Sequence, residues 1–190
     1  MFCAWKMGPA LAAGNTVVLK PSELTPLSSL RLAELMAEVG FPKGVVNMVP
    51  GFGHTAGERL ATHPLVRKIA FTGSVRAGKE IGHMAADRIL PLTLELGGKS
   101  PHIVFEDADL DKAAANAAMI FTRNCGQICS AGSRLLIQES VHDAFVEKLV
   151  AAVAKITVGP EPESHAHQAS EPRNASRTSR LRVALTSRRS

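Results

Sequence analysis

Tyrosine is absent from this chain, tryptophan occurs once and cysteine three times. The few aromatics are scattered and no basic stripe accompanies them, so the footprint of a nucleic-acid binder is missing. No apolar run nears the roughly 20 residues that span a bilayer. The apolar opening MFCAWKMGPALAAG has no basic region ahead of it, which argues against a secretory leader. An odd number of cysteines without such a leader fits a reducing, cytoplasmic compartment better than a disulfide framework. Metal-ligand clusters are equally scarce: a structural site takes about four ligands, and no histidine stands at ligand spacing from the Cys125-x-x-x-Cys129 pair.

The net charge of +5 is largely a property of one end. Six arginines against three acidic residues lie from Pro160 onward, and the rest of the chain carries 16 basic and 14 acidic residues. The body is therefore close to neutral and gives no electrostatic reason to expect a polyanionic partner.

What is present is globular in composition: 190 residues, 45% hydrophobic, 21% charged, 15 glycines. That is enough for one domain, or for one domain and part of another. Short apolar runs alternate with amphipathic stretches. NTVVLK (15–20), VVNMV (45–49) and KIAFT (68–72) read as buried strands. Between the first two, Thr25-Pro26 has the form of an N-cap followed by proline at the first helical position. Leu32, Leu35, Met36 and Val39 then recur on one helical face, and Gly40 with Pro42 supplies the stop. PGFGHTAG gives a glycine-rich turn into a short helix ending near Thr62, and Ser74 is placed to cap a helix with the apolar face Ala77, Ile81, Met84 and Ala85.

Strands and helices in strict alternation with short connections predict parallel pairing through crossover helices, a doubly wound α/β arrangement. The pattern continues with LTLELGG, a strand HIVF (102–105), an alanine-rich helix from about Leu110, a cysteine loop and a strand RLLIQ (134–138). Ser140 with Asp143 three residues on then has the pattern of a capping box, and Phe145, Leu149, Val153 and Ile156 form the buried face of the last helix. From Pro160 to Ser190 periodicity vanishes, and Ser, Arg, Pro and Glu dominate. That composition predicts disorder, and an out-of-frame translation of GC-rich DNA would look similar.

Individually the motifs are ambiguous. GFGHTAG (51–57) can bring backbone amides near a pyrophosphate at a helix start, and FTGS (71–74) offers a second such turn, but glycine turns arise without ligands too. Cys125 and Cys129 could be inert, a disulfide formed under oxidation, or a nucleophile with a bystander. Glu95 could equally be a solvent-facing residue of a period-2 strand, and Lys20 and Glu23 ordinary strand-end charges.

Their combination is specific. WKMGPALAAGNTVVLKPSELTPLSSLRLAEL, GVVNMVPGFGHTAG, KIAFTGS, LELGGKSPHIVFEDADLD and NCGQICSAGSR, in this order and spacing, resemble the NAD(P)-dependent aldehyde dehydrogenase superfamily over about residues 1–159. The resemblance implies a partial Rossmann-like NAD-binding domain (1–97), then the first α/β elements of a catalytic domain carrying the nucleophile loop (98–159), with 160–190 as a disordered tail.

It also implies roles. Cys129, in the G-Q-x-C position, looks like the nucleophile that attacks an aldehyde, and Glu95 matches the general base that activates the thiol or the hydrolytic water. Lys20 and Glu23 match the pair that holds the adenosine ribose. A carboxylate there accepts from two ribose hydroxyls and repels a 2′-phosphate, which favours NAD over NADP. Gly73 and Ser74 match the pyrophosphate turn, and Gly53 the adenine side. Cys125 falls at a variable position, where a small buried or half-buried residue is expected, and Cys3 is read the same way.

Some of the family's parts have no counterpart here. The W-N-F-P segment, whose asparagine completes the oxyanion hole, is not in the chain, and such a donor is worth about 10²–10³ in rate. E-x-F-G-P, which grips the nicotinamide ribose, and the hairpin that builds the family's homo-oligomers are likewise not found. Thr122 also stands where a larger apolar residue is common. Two rival readings follow. A CoA-acylating relative is disfavoured because such enzymes tend to lack the glutamate that Glu95 provides. The alternative to an impaired aldehyde dehydrogenase is a non-catalytic fragment that at most binds nucleotide.

Overall fold

The computed structural model describes residues 2–159 and 168–169. The tail predicted to be disordered, 160–190, lies outside the described residues except for Gln168–Ala169. The chain divides into two compact units, Met1–Leu96 and Gly97–Ser190. Each is described by itself.

The first unit runs α1 (Phe2–Ala12), β1 (Val17–Leu19), α2 (Leu27–Glu38), β2 (Val46–Met48), a π turn (Gly53–Gly57), α3 (Glu58–Thr62), β3 (Ile69–Gly73), α4 (Val75–Ala86) and β4 (Leu92–Leu96). β1 pairs with β2 and β3 with β4, both parallel, with Val18 opposite Asn47 and Thr72 opposite Glu95. Parallel neighbours need a crossover, and α2 and α4 supply them. α4 crosses close to its own sheet: a Cβ added at Gly78 would lie 2.6 Å from Leu96 Cδ2, so the glycine is what lets helix and strand approach this closely.

Arg88, just past α4, donates from its guanidinium to the carbonyls of His63 (2.7 Å), Pro64 (3.0 Å) and Val66 (3.0 Å). Three carbonyls of the turn before β3 are thereby gathered onto one planar cation, a task suited to arginine's fixed fork of donors.

The second unit runs β5 (Pro101–Val104), α5 (Leu110–Thr122), a 3-10 turn (Arg123–Gly126), β6 (Arg134–Ile137), a second 3-10 turn (Glu139–Val141), α6 (His142–Val153), β7 (Val158–Gly159) and β8 (Gln168–Ala169). β5 pairs with β6 and β7 with β8, again parallel. Its core is Val104, Ala114, Ala117, Ala118, Phe145 and Leu149, all buried, with Leu135, Ile137, Val153 and Ile156 packed around them. The alanines leave α5 with almost no side-chain bulk on its inner face, so Phe145 of α6 can be fully enclosed. Asp109 caps α5 by accepting from the Lys112 N–H at 3.2 Å. Thr122 is buried at its end, and its hydroxyl donates to Ala118 O at 2.6 Å, which satisfies the polar group.

The chain is therefore α/β, with parallel pairing in every two-stranded sheet among the described residues. Two helix starts differ from expectation. At α2 the N-cap position belongs to Pro26 in helical conformation, not to Thr25, and no side chain caps it. At α6 the Ser140–Asp143 capping box does not form. The Ser140 hydroxyl instead donates to Glu106 Oε2 at 2.9 Å, a short 3-10 turn intervenes, and Val141 takes the N-cap position. The inner face of α2 keeps Leu32 and Met36 partly buried, as expected, but not the other two residues of the repeat. Leu35 and Val39 are 41% and 74% exposed, and Ser29 is the buried residue. A hydrogen bond of 3.1 Å between Cys3 Sγ and Ser29 Oγ accommodates that polar position.

Candidate active site

The expected cofactor residues all fall in the first unit, at the C-terminal ends of its strands. This is where parallel α/β sheets place ligands. Lys20 follows β1. Its ammonium donates to Pro21 O (2.7 Å), Gly51 O (2.8 Å) and Glu23 Oε2 (3.3 Å), so it ties the end of β1 to the segment after β2. Its stem also lies near Gly57, where an added Cβ would meet Lys20 Cδ at 3.6 Å. Glu23 is held ionised: a hydrogen bond from its own backbone N–H, and then the Lys20 ammonium, lower its carboxyl below the ordinary value of 4.5. Half-exposed beside this anchor, it presents an acceptor-only group to solvent, which is the chemistry a ribose diol needs.

The glycine turn does less than its spacing promised. Within Gly53–Gly57, the N–H groups of Thr55 and Gly57 both donate to Phe52 O, at 3.3 and 3.2 Å, so they are spent inside the π turn. Gly53 itself has open space where a side chain would be. Next to it, exposed Phe52 stacks on His54 with ring centroids 5.6 Å apart. A shallow groove of about 300 Å³ lies along His54, Thr55, Glu58, Arg59 and Thr62.

The second turn keeps its anion-binding character. Ser74 is the N-cap of α4, its hydroxyl accepting from Ala77 N at 3.2 Å. The N–H groups of Val75 and Arg76 have no intrahelical acceptor in a helix start, and the positive end of the helix dipole lies there. A Cβ on Gly73 would fall 2.5 Å from the tip of the Phe71 ring, so a side chain here requires that ring to move. Glu23, anchored by Lys20, offers acceptors of the kind a ribose diol needs, and the Gly73–Ser74 turn offers backbone N–H groups of the kind a pyrophosphate needs.

Glu95 lies in β4, one residue from its end, on the exposed face where the strand alternates inward leucines with outward Thr93 and Glu95. It belongs to the first unit and Cys129 to the second.

Cys129 is an exposed thiol, and neither it, Cys125 nor Cys3 is in a disulfide. Its loop is built in two limbs. The upstream limb is strained: Asn124 and Cys125 are both left-handed, with φ of 52° and 56°, followed by Gly126 at 72°. Left-handed non-glycine residues are uncommon and persist where surrounding structure holds them. Here the Gln127 N–H donates back to Asn124 O at 2.9 Å and closes the turn. Gly126 is the residue that must remain glycine, since an added Cβ would lie 2.9 Å from Phe121 O. Cys125, on the left-handed turn, is exposed rather than buried or half-buried; Cys3 is the half-buried one.

The downstream limb returns to the sheet. Ser100 Oγ donates to Cys129 O at 3.5 Å, Arg134 Nε to Lys99 O at 2.8 Å, and Arg134 N to Ser100 O at 3.2 Å. Ser100 and Arg134 lie inside the ELGGKSP and CSAGSR stretches but carry no chemistry that spacing alone could flag. An arginine closing a glycine-containing loop was the only signal available.

The sequence model of the aldehyde dehydrogenase family matches residues 1–181, beyond the Gly159 at which the motif resemblance ends. The chain is 56% identical over 157 residues to aldehyde dehydrogenase family 2 member B4, mitochondrial, of Arabidopsis thaliana, covering 82% of this chain and 29% of that protein. Among solved structures, PnpE in complex with nicotinamide adenine dinucleotide superposes with a TM-score of 0.77 at 56% identity, over 83% of this chain and 32% of that one. An NAD-dependent aldehyde dehydrogenase from Sinorhizobium meliloti superposes with a TM-score of 0.83 at 47% identity, over 88% and 33%. The chain spans about a third or less of the length of the curated relatives it matches. The family model spans nearly the whole chain and the relatives share about half of its residues, so the chain belongs to the aldehyde dehydrogenase family.

Proposed function

We propose that this chain carries the cofactor-holding and nucleophile-bearing part of an NAD-dependent aldehyde dehydrogenase, which oxidises a small-molecule aldehyde to a carboxylate. The observation that carries the reading is the exposed Cys129 thiol, outside any disulfide, in the G-Q-x-C loop of a member of this family. Its thiolate form attacks the aldehyde carbon to give a thiohemiacetal, and oxidation leaves a thioester on the same sulfur. Bound NAD supplies the oxidant, as a two-electron acceptor. Glu95 takes the proton of the thiol or of the water that hydrolyses the thioester. Lys20 fixes Glu23, whose ionised carboxylate holds the adenosine ribose, and the Gly73–Ser74 turn holds the pyrophosphate at the start of α4. The odd count of three cysteines suits a reducing, cytoplasmic setting.

A second reading, nucleotide binding without turnover, is favoured by one observation. Lys20, Glu23, Gly73 and Ser74 all lie in Met1–Leu96, while Cys129 lies in the other unit, so binding does not require the chemistry. The two are separated by incubating the protein with NAD and a small aldehyde, then mapping adducts by peptide mass spectrometry. The first reading expects an acyl increment on Cys129 that needs NAD and vanishes in Cys129→Ala. Glu95→Gln should lower the rate about 10²–10⁴-fold. NADH formation that persists in Cys129→Ala would sink the first reading. Saturable NAD binding with neither adduct nor NADH would leave only the second.

A further inference from the structure

Three groups join the cysteine loop to the segment ahead of β5, and the mechanism above uses none of them. We propose that Arg134, with Ser100 as its second contact, is a positioning residue for the nucleophile, which latches the Cys129–Arg134 limb onto the Lys99–Ser100 backbone. The inference rests on reading Cys129 as the nucleophile.

The arginine is bound at two points: its backbone N–H opens the β5–β6 ladder on Ser100 O, and its side chain turns back to Lys99 O at 2.8 Å. A charged donor to a carbonyl is the stronger kind of hydrogen bond, and the two contacts on adjacent residues fix the direction of the limb as well as its position. The Ser100 hydroxyl reaches the Cys129 carbonyl itself at 3.5 Å, at the long limit for such a bond, and so acts as a secondary guide. Between these points the buried Gly132 backbone presses on the His102 side chain, where an added Cβ would lie 3.0 Å from His102 Cβ and 3.3 Å from Nδ1. The limb is thus held at both ends and in the middle. The upstream limb, with Cys125, is closed instead by its own turn, the Gln127 N–H donating to Asn124 O at 2.9 Å. Two exposed thiols four positions apart therefore stand on differently restrained backbone, and one can serve as the control for the other.

The test uses the full chain in a Cys3→Ser background. Iodoacetamide alkylation rates are measured separately at Cys129 and Cys125 by peptide mass spectrometry, beside the free peptide TRNCGQICSAGSR. Arg134→Met removes the side-chain donor and keeps an apolar stem, and Ser100→Ala removes one hydroxyl. In Arg134→Met the Cys129 rate should move about fivefold toward that of the peptide, while the Cys125 rate stays within about twofold. Ser100→Ala should give a smaller change of the same sign. Added methylguanidinium should restore the Arg134→Met rate toward the parent, which general loosening of the fold would not allow. The proposal is overturned if both thiols change together, if neither changes, or if Cys129 of the parent already reacts at the peptide's rate. Should Arg134→Met fail to fold, Ser100→Ala and Gly132→Ala decide by the same criterion. The readout does not depend on turnover, so its failure is distinct from failure of the catalytic reading.

Discussion

Glu23 is the residue whose electrostatics bear most directly on the proposed chemistry. Its carboxyl is lowered by its own backbone hydrogen bond and by Lys20. A group depressed on folding contributes stability above its unfolded value and loses it as pH falls through the folded value. The Lys20–Glu23 pair should therefore persist below pH 4.5, which a carbon-detected NMR titration of the Glu23 carboxyl would show as a midpoint under that value. A midpoint at or above it would contradict the pairing. On the proposed function, Glu23→Gln should shift the NADP-to-NAD affinity ratio upward by about fivefold to tenfold, since one unit charge is removed from beside a 2′-phosphate. Equal affinity ratios in the two proteins would remove Glu23 from the ribose site.

Residue types were legible where chemistry demands them, and conformation was not. Cys129, Glu95 and Lys20 can be named as candidates only through the family resemblance, since each taken alone has an inert reading. The left-handed pair Asn124–Cys125 cannot, because nothing in R-N-C-G distinguishes a strained turn from an ordinary one before the chain is closed around it. The expectation of a buried or half-buried Cys125 fails at this turn, where the residue is exposed.

At the scale of elements, strands were the readable parts. VVNMV, KIAFT and RLLIQ each contain the strand found, within a residue or two at the ends, since continuous apolar runs are what sheets buried by crossover helices require. Helix faces and caps were less readable. Of the Leu32–Val39 repeat on α2, Leu32 and Met36 lie on the partly buried side while Leu35 and Val39 are exposed, and that side extends to buried Ser29, whose hydroxyl meets a thiol from α1. Ser140 offers the right residue for a cap, but Glu106 competes for its hydroxyl and wins.

Where a cap does form it can be tested. Ser74→Ala should destabilise the first unit by about 1 kcal/mol, read as faster hydrogen exchange in the first turn of α4. Arg88→Ala strands three carbonyls and should cost about 2 kcal/mol, with Arg88→Lys recovering less than half, because a point charge cannot serve three acceptors in one plane. Full recovery by lysine would show that charge alone suffices.

The whole molecule is unevenly enclosed. Phe145 is fully buried among small residues in the second unit, and Phe145→Ala should cost about 3–5 kcal/mol there, seen as loss of slow-exchanging amides in α5 and α6. The opposite face of the same sheet is open. Ile103 and Leu136, side by side in register, are 56% and 49% exposed, and the following Phe105 is 60% exposed. Apolar surface left in water binds hydrophobic dyes and promotes association. Replacing Ile103 and Leu136 together by threonine should lower dye fluorescence and raise solubility without loss of thermal stability; a matching drop in melting temperature would mean that the face is packed in solution.

The parallel pairing of β5 with β6 has a further consequence, for biosynthesis. Their register partners are roughly thirty residues apart in the chain, with the whole of α5 and the cysteine loop between. At typical elongation rates of about 5–20 residues per second, β5 leaves the ribosome a second or more before its partner exists. A half-made chain therefore displays β5 with no strand beside it, and the second unit can close only after α5 and the cysteine loop have been made.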